Sequence, residues 1–447
     1  MADAPRRARN ARRRQTVRRT SGEFTVARVR LWGQDVGAVV EDRLRTVTFE
    51  YTDAFKQSGL EISPFHLPLS LNGPITFPEL QRVASFAGLP GLLADCLPDA
   101  FGNAVIRRFF ERRGTPDAAL SPVQKLLYIG SRAMGALEFS PPLDGGKRRA
   151  TDDALAISRL VDEARRVIED APDVAIPEMM QVGASAGGAR AKALILWNRE
   201  LGRVKSAFAP RGTGDEHWLI KFDGVSGGGG GHGLARAFLP GPFGRIEYAF
   251  SRLARVAGVE MADTHLLIER EFAHFMTKRF DRQGDARLHM HSLGGLLHAD
   301  YNTRQVRSYE DYFRTIRQLG IGQQGVDQAF RRMVFNMAAR NQDDHVKNIA
   351  FLMGRRGVWR LAPAFDVTWS FGGAWAATHQ MTAAGKDDGF TRADLLELGK
   401  KFDVAGGGAD ILGEVDAALG AWRREAKEVG LEAAWVRKIE RLFRRFA

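Results

Sequence analysis

Residues 335–370, FNMAARNQDDHVKNIAFLMGRRGVWRLAPAFDVTWS, constrain the fold more tightly than any other stretch of the chain. Val326, Phe330, Met333, Val334 and Met337 recur at three- and four-residue steps and so share one helical face. The helix is expected to end near Arg340, because Asn341, Gln342, Asp343 and Asp344 favour turns over helix interiors. An apolar run over 349–353 follows, then Gly354-Arg355-Arg356-Gly357, then a second run over 358–361. That pattern is a β-hairpin with a short glycine-containing loop. Pro363 stops the second strand and Asp366 lies just beyond it. A hairpin returns its far end to its near end, so Asn348 and Asp366 are expected side by side. Asp343 is five residues before Asn348 on the same loop. Two carboxylates, an amide and Lys347 therefore share one small volume.

Hard cations such as Mg²⁺ take oxygen ligands of this kind. Phosphoryl transfer uses a carboxylate to orient the attacking hydroxyl, and an Asn and an Asp to hold metal on the phosphates. The protein-kinase catalytic loop has the same Asp-to-Asn spacing, followed by a metal-binding Asp. The competing reading is a polar loop whose Asp and Asn are only caps and turn residues. Upstream, GASAGGARAKALILW places Ser185, Ala186, Gly187, Gly188 and Ala189 in a small-residue loop before a strand over 193–197. Such a loop lets backbone N–H groups approach phosphate oxygens, with Arg190 and Lys192 adding charge, but it matches neither GxxxxGK[ST] nor GxGxxG. It is equally well a plain turn. A strand over 218–222 carries Lys221, either facing nucleotide phosphates or facing solvent from an edge. Glycines 227–231 read as a mobile linker. A helix over 247–257 and strands over 265–268 and 272–280 follow. Loop, strand, lysine strand, helix and two strands, ahead of a helical second half, is the order of a kinase-like small lobe before a large lobe.

At 447 residues, 44% apolar and 26% charged, the chain has the composition of a globular protein of two or three domains. No apolar run is long enough to span a membrane and no signal-peptide pattern opens the chain. Cys96 is the single cysteine, so no intramolecular disulfide forms, and a reducing, cytoplasmic setting is expected. The net charge is +12, of which the first 20 residues hold +7. This arginine-rich tail lacks periodicity and is expected to be a disordered tail that meets solvent or a polyanion. Residues 23 to about 145 read as a small α+β unit. Its strands are expected over 26–32, 36–40 and 44–51, with a turn at Gln34-Asp35. Helices are expected over 80–87, 101–113 and 154–168. From Leu288 the chain is expected to be mostly helical, with helices over 392–402, 409–429 and 431–446. His289, His291 and His298 invite a metal reading, but no partner stands at a zinc spacing, and structural or surface roles are expected.

Taken together, LPDAFGNAVI, MGALEFSPP, GASAGGARAKALI, WLIKF, GRIEYAFSRLARVAG, KRFDR, NQDDHVKNIAFL and LAPAFDV resemble, in order, the HipA family of serine/threonine kinases, toxins of bacterial toxin–antitoxin modules. The resemblance implies an α+β, protein-kinase-like two-lobed fold with a small N-terminal subdomain and an all-helical C-terminal lobe. Its divisions would be the tail 1–22, the subdomain 23–150, the small lobe 151–284 and the helical lobe 285–447. It implies that Asp343 is the catalytic carboxylate and that Asn348 and Asp366 hold Mg²⁺. Lys221 would reach the ATP phosphates, with Ala186, Gly187, Gly188 and Ala189 covering them. Lys278, Phe280, His345 and Lys347 would complete the nucleotide site, residues 276–280 serving as the adenine hinge. Ser185 matches the serine that family members autophosphorylate. The implied partners are a HipB-like helix-turn-helix antitoxin, DNA mainly through that antitoxin, and a translation-related protein substrate, with a dimer on DNA. Val367 after Asp366 departs from the protein-kinase DFG. Two alternatives stand beside this reading: a DNA-bound corepressor with a kinase fold, and a small-molecule or lipid kinase.

Overall fold

The computed structural model describes residues 24–111, 120–143, 154–168, 190–225 and 241–447. The arginine-rich tail, the small-residue loop at 185–189 and the glycine run lie outside them.

The N-terminal unit is a five-stranded antiparallel sheet, β1 (Thr25–Leu31), β2 (Gln34–Glu41), β3 (Val47–Tyr51), β4 (Ile75–Thr76) and β5 (Leu137–Ser140), in the order β4-β3-β2-β1-β5. Ala27, Val29 and Leu31 alternate inward along β1, as the period of two requires. The β1–β2 turn is Trp32-Gly33, two residues before the expected Gln34-Asp35. Both residues have positive φ, 51° and 86°, the conformation that matches the twist of a tight hairpin. Helices α1 (Asp53–Lys56), α2 (Gly91–Ala94), α3 (Ala100–Glu111) and α4 (Pro122–Ile129) complete the unit. The helix expected over 80–87 is absent. Short turn bonds such as Phe86 N–H to Val83 O replace it, and Ala87 and Gly88 turn left-handed at its end.

Helix α5 (Ile157–Ile168) leads to a second antiparallel sheet: β6 (Lys192–Asn198), β7 (Arg203–Ser206), β8 (Asp215–Lys221), β9 (Thr264–Glu269) and β10 (Phe272–Lys278), ordered β7-β6-β8-β10-β9. β6 is buried along its whole length, which explains its uninterrupted apolar run. Helix α6 (Phe243–Val256) packs on β10. Gly244 lies so close to the Ala273 carbonyl that a Cβ would have no room.

A ribbon, β11 (Arg282–Gln283) and β12 (Ala286–Arg287), opens the second lobe. The lobe is mostly helical from Leu288, but the all-helical lobe that the resemblance implies is corrected here: β13 (His289–Ser292) joins the expected hairpin of β14 (Ala350–Met353) and β15 (Trp359–Leu361) in a three-stranded sheet. His289 and His291 point inward from β13, and burial holds the His289 imidazole down to about 3. The helices are α7 (Leu293–Leu296), α8 (Tyr309–Gln318), α9 (Gln323–Ala339), α10 (Arg392–Lys401), α11 (Ala409–Leu419), α12 (Trp422–Glu428) and α13 (Ala433–Glu440). The helix expected over 409–429 is two, broken at Gly420, a weak helix former, so that Trp422 can turn into the core against Phe250. One continuous hydrophobic core joins the N-terminal unit to both lobes.

Candidate active site

Lys221 ends β8, the third strand of its sheet in chain order. Its ammonium lies 2.6 Å from Glu247 Oε1 on α6 and also donates to Asp366 Oδ1. Glu247 is 1% exposed and takes a second, longer contact from Arg190 at 3.4 Å. Burial alone would pull the lysine pKa down; the Asp366 and Glu247 carboxylates more than offset it, so the ammonium stays charged. The Lys221–Glu247 pairing was not legible in the spacing, because a helix packed over a sheet sets it.

Helix α9 ends where the sequence indicates, at Arg340, which adopts the left-handed conformation with φ 61°. The loop after it is tied to the segment beyond Asp366: Gln342 N–H donates to Ser370 O at 2.9 Å and Ser370 N–H to Arg340 O at 3.1 Å. The two adjacent aspartates then diverge. Asp344 turns inward, accepting from Tyr309 Oη at 2.7 Å and from Gln380 N–H at 2.8 Å, with His379 Nδ1 at 2.7 Å. Asp343 keeps 37% of its side chain exposed, against 1% for Asp344. Asn348 Nδ2 donates to the Asp343 carbonyl at 3.0 Å, which fixes the loop between them. Asp343, Asp344, His345, Asn348 and Asp366 line one cavity. A second cleft is lined by Leu219, Lys221, Lys278, Phe280, Phe365 and Asp366. Asp366 borders both. Its φ of 55° is a left-handed value that a short polar side chain tolerates.

Of the other sequence candidates, Lys278 pairs with Glu216 at the cleft edge, and the Phe280 ring lies 5.3 Å from Phe365. His345 Nε2 is 3.9 Å from Asp343 Oδ1. Lys347 does not join the cavity: its ammonium lies 3.2 Å from Asp95 of the N-terminal unit. Ser185, Ala186, Gly187, Gly188 and Ala189 lie outside the described residues. Trp375 went unmarked in the sequence, yet its indole N–H donates to Asp343 Oδ1 at 2.8 Å. Nothing in the local pattern signals that contact, which depends on the path of the chain after Asp366.

Burial would raise the Asp366 carboxyl, but the Lys221 and Lys192 charges outweigh it and hold it at about 2. Asp95 and Asp281 are held well below the usual carboxylate range, against burial, by Lys347 and by Arg279 and Arg282 respectively. Folded values below the unfolded ones mean that the unfolded chain binds more protons. Their contribution to stability is complete above about pH 4 and is lost as the pH falls toward about 2. The urea midpoint should therefore drop steadily below about pH 4, and a constant midpoint down to about pH 3 would contradict this account.

The paired sheets, the lysine–glutamate pair beneath the cleft and the Asp–Asn–Asp set define a kinase-like protein. Residues 27–140 match the family model for the HipA N-terminal domain, and residues 184–439 match that for the HipA-like C-terminal domain. The chain belongs to the HipA family. It is similar in structure to a chain of the Shewanella oneidensis MR-1 toxin–antitoxin complex of HipA, HipB and operator DNA. That likeness has 16% identity and a TM-score of 0.62, and covers 93% of this chain and 95% of that one. The Helicobacter pylori proinflammatory kinase CtkA also matches, at 12% identity and a TM-score of 0.35, over 58% of this chain and 90% of that one. No curated protein matches. Among the described residues, no helix is long and apolar enough to cross a membrane.

Proposed function

We propose that the chain is an ATP- and Mg²⁺-dependent serine/threonine protein kinase, the toxin of a toxin–antitoxin module. The observation that carries this reading is the meeting of Asp343, Asn348 and Asp366 at one cavity whose neighbouring cleft is lined by Lys221, itself paired with Glu247. The adenine ring would enter that cleft against Leu219 and Phe280, and Lys221 would neutralise phosphate charge. Asp343 would accept a hydrogen bond from the substrate hydroxyl and aim its oxygen at the γ-phosphorus. As the new O–P bond forms and the bond to ADP breaks, the hydroxyl proton would leave toward Asp343. The donor set suits magnesium: the Asp366 carboxylate and the Asn348 amide oxygen are hard ligands, and the Asn348 Nδ2 bond to the Asp343 carbonyl holds that amide in a set orientation. Magnesium, when bound, supplies charge neutralisation on the phosphates. Catalysis is then positioning and electrostatics, carried by groups already in place.

The Shewanella HipA complex supports a HipB-like helix-turn-helix antitoxin as partner, with DNA reached through it. The family supports autophosphorylation of Ser185 and a translation-related protein substrate. The test is incubation with labelled ATP and Mg²⁺ followed by mass spectrometry of the chain. Phosphate on Ser185 is the expected result. Absence of both phosphate and ATP binding would favour a kinase-fold corepressor held on DNA by an antitoxin.

A further inference from the structure

Two carboxylates of the N-terminal unit, four residues apart, reach the two kinase-like lobes separately: Asp99, which is buried, and Asp95, which keeps 11% of its side chain exposed. Asp99 Oδ2 lies 2.8 Å from Lys192 Nζ, with both side chains at most 3% exposed. Lys192 opens β6 and is the direct cross-strand neighbour of Lys221. Asp95 Oδ1 lies 3.2 Å from Lys347 Nζ, in the loop between Asp343 and Asn348. Asp95 is further fixed on the second lobe by Ser292 N–H at 2.7 Å, Ser292 Oγ at 2.6 Å and His291 Nδ1 at 2.6 Å. The segment between the two carboxylates has little slack. Asp95 closes α2, Asp99 Oδ1 caps α3 through Gly102 N–H at 2.7 Å, and Pro98 sits between them.

Each carboxylate thus seats a lysine beside a residue of the proposed site, one on each lobe. The Asp99–Lys192 pair sits in a dry interior and demands close geometry, because its charges have given up water and a lost partner leaves a bare charge behind; Asp95 is held by Ser292 and His291 as well as by Lys347. We propose that residues 95–99 form a strut that sets the spacing between the lobes. Asp95 and Asp99 act in it as positioning residues for the site. The inference deepens the kinase reading where it concerns rates; the lobe spacing itself stands apart from it.

Nitroxide labels on Glu200→Cys and Glu397→Cys, exposed positions on the small lobe and on α10, report that spacing by pulsed electron resonance. Native Cys96 is buried with its thiol pushed up to about 12, so it resists labelling. A narrow distance distribution is expected for the labelled parent chain, and a distribution broadened by several ångströms for Asp99→Asn. Asp95→Asn should lower kcat per folded molecule by about 10²-fold. Its Kd for ATP should stay within about three-fold, a split that simple loss of folded protein does not produce. If Asp99→Asn fails to fold, Asp99→Leu combined with Lys192→Met removes both charges, leaves neither buried alone, and should broaden the distribution in the same way. Unchanged distances in the folded Asp99 variant would overturn the strut. If the parent chain transfers no phosphate, the kinase reading fails, and the distances still decide the strut.

Discussion

Asp343→Asn should reduce phosphoryl transfer from ATP by about 10²–10⁴-fold, the usual span for a positioned acid–base group. The substitution keeps the shape of the side chain. The loop is held through the backbone carbonyl of residue 343, which accepts from Asn348 Nδ2, and an asparagine oxygen can still accept the Trp375 N–H. Only the charge and the ability to take up a proton are lost. ATP binding should therefore survive, because the proposed nucleotide cleft is built from Leu219, Lys221, Phe280 and Phe365. A single-turnover assay beside a binding titration separates the two quantities. Transfer within ten-fold of the parent chain would remove Asp343 from its assigned role. The adjacent Asp344 is a useful contrast. It is fully engaged by Tyr309, His379 and Gln380, so Asp344→Asn should act on stability first.

Glu247→Ala should cost about 3–5 kcal/mol of folding free energy, the range for removing one partner of a buried ion pair. Glu247 is 1% exposed and faces two cations, Lys221 at 2.6 Å and Arg190 at 3.4 Å. Its loss leaves Lys221 with Asp366 alone, and draws the ammonium toward the carboxylate expected to hold metal. Stability and nucleotide affinity should fall together, the first read from urea unfolding and the second from an ATP titration. A variant that unfolds within about 1 kcal/mol of the parent, as a surface pair would, contradicts the burial argument. Glu247→Gln is the informative partner, since it keeps the packing and one acceptor while removing the charge.

These expectations rest on features of different visibility. The helix, polar loop, hairpin and following aspartate were legible because each depends on local chemistry: apolar periodicity, turn-forming side chains, and a proline that ends a strand. The closeness of Asn348 and Asp366 followed from hairpin topology alone. The alternation of Ala27, Val29 and Leu31 and the lysine strand, expected over 218–222 and observed over Asp215–Lys221, were legible from their local residue pattern. Local signals failed where long-range packing outweighed propensity. The segment 80–87 has helical composition but is held in turns. The helix expected over 409–429 breaks because Trp422 gains more by turning into the core than Gly420 contributes to a continuous helix.

The amino-acid sequence by itself determined the family, the order of the elements and the residues that meet across the hairpin, because those depend on neighbours a few positions apart. Only the tertiary structure decided which of two adjacent aspartates stays open to solvent, that Glu247 answers Lys221, that Trp375 donates to Asp343, and that Lys347 turns away to Asp95. Each of those pairings joins residues 26 to 252 positions apart. No periodicity encodes such a distance; the packing of sheet, helix and N-terminal unit around buried charge creates it.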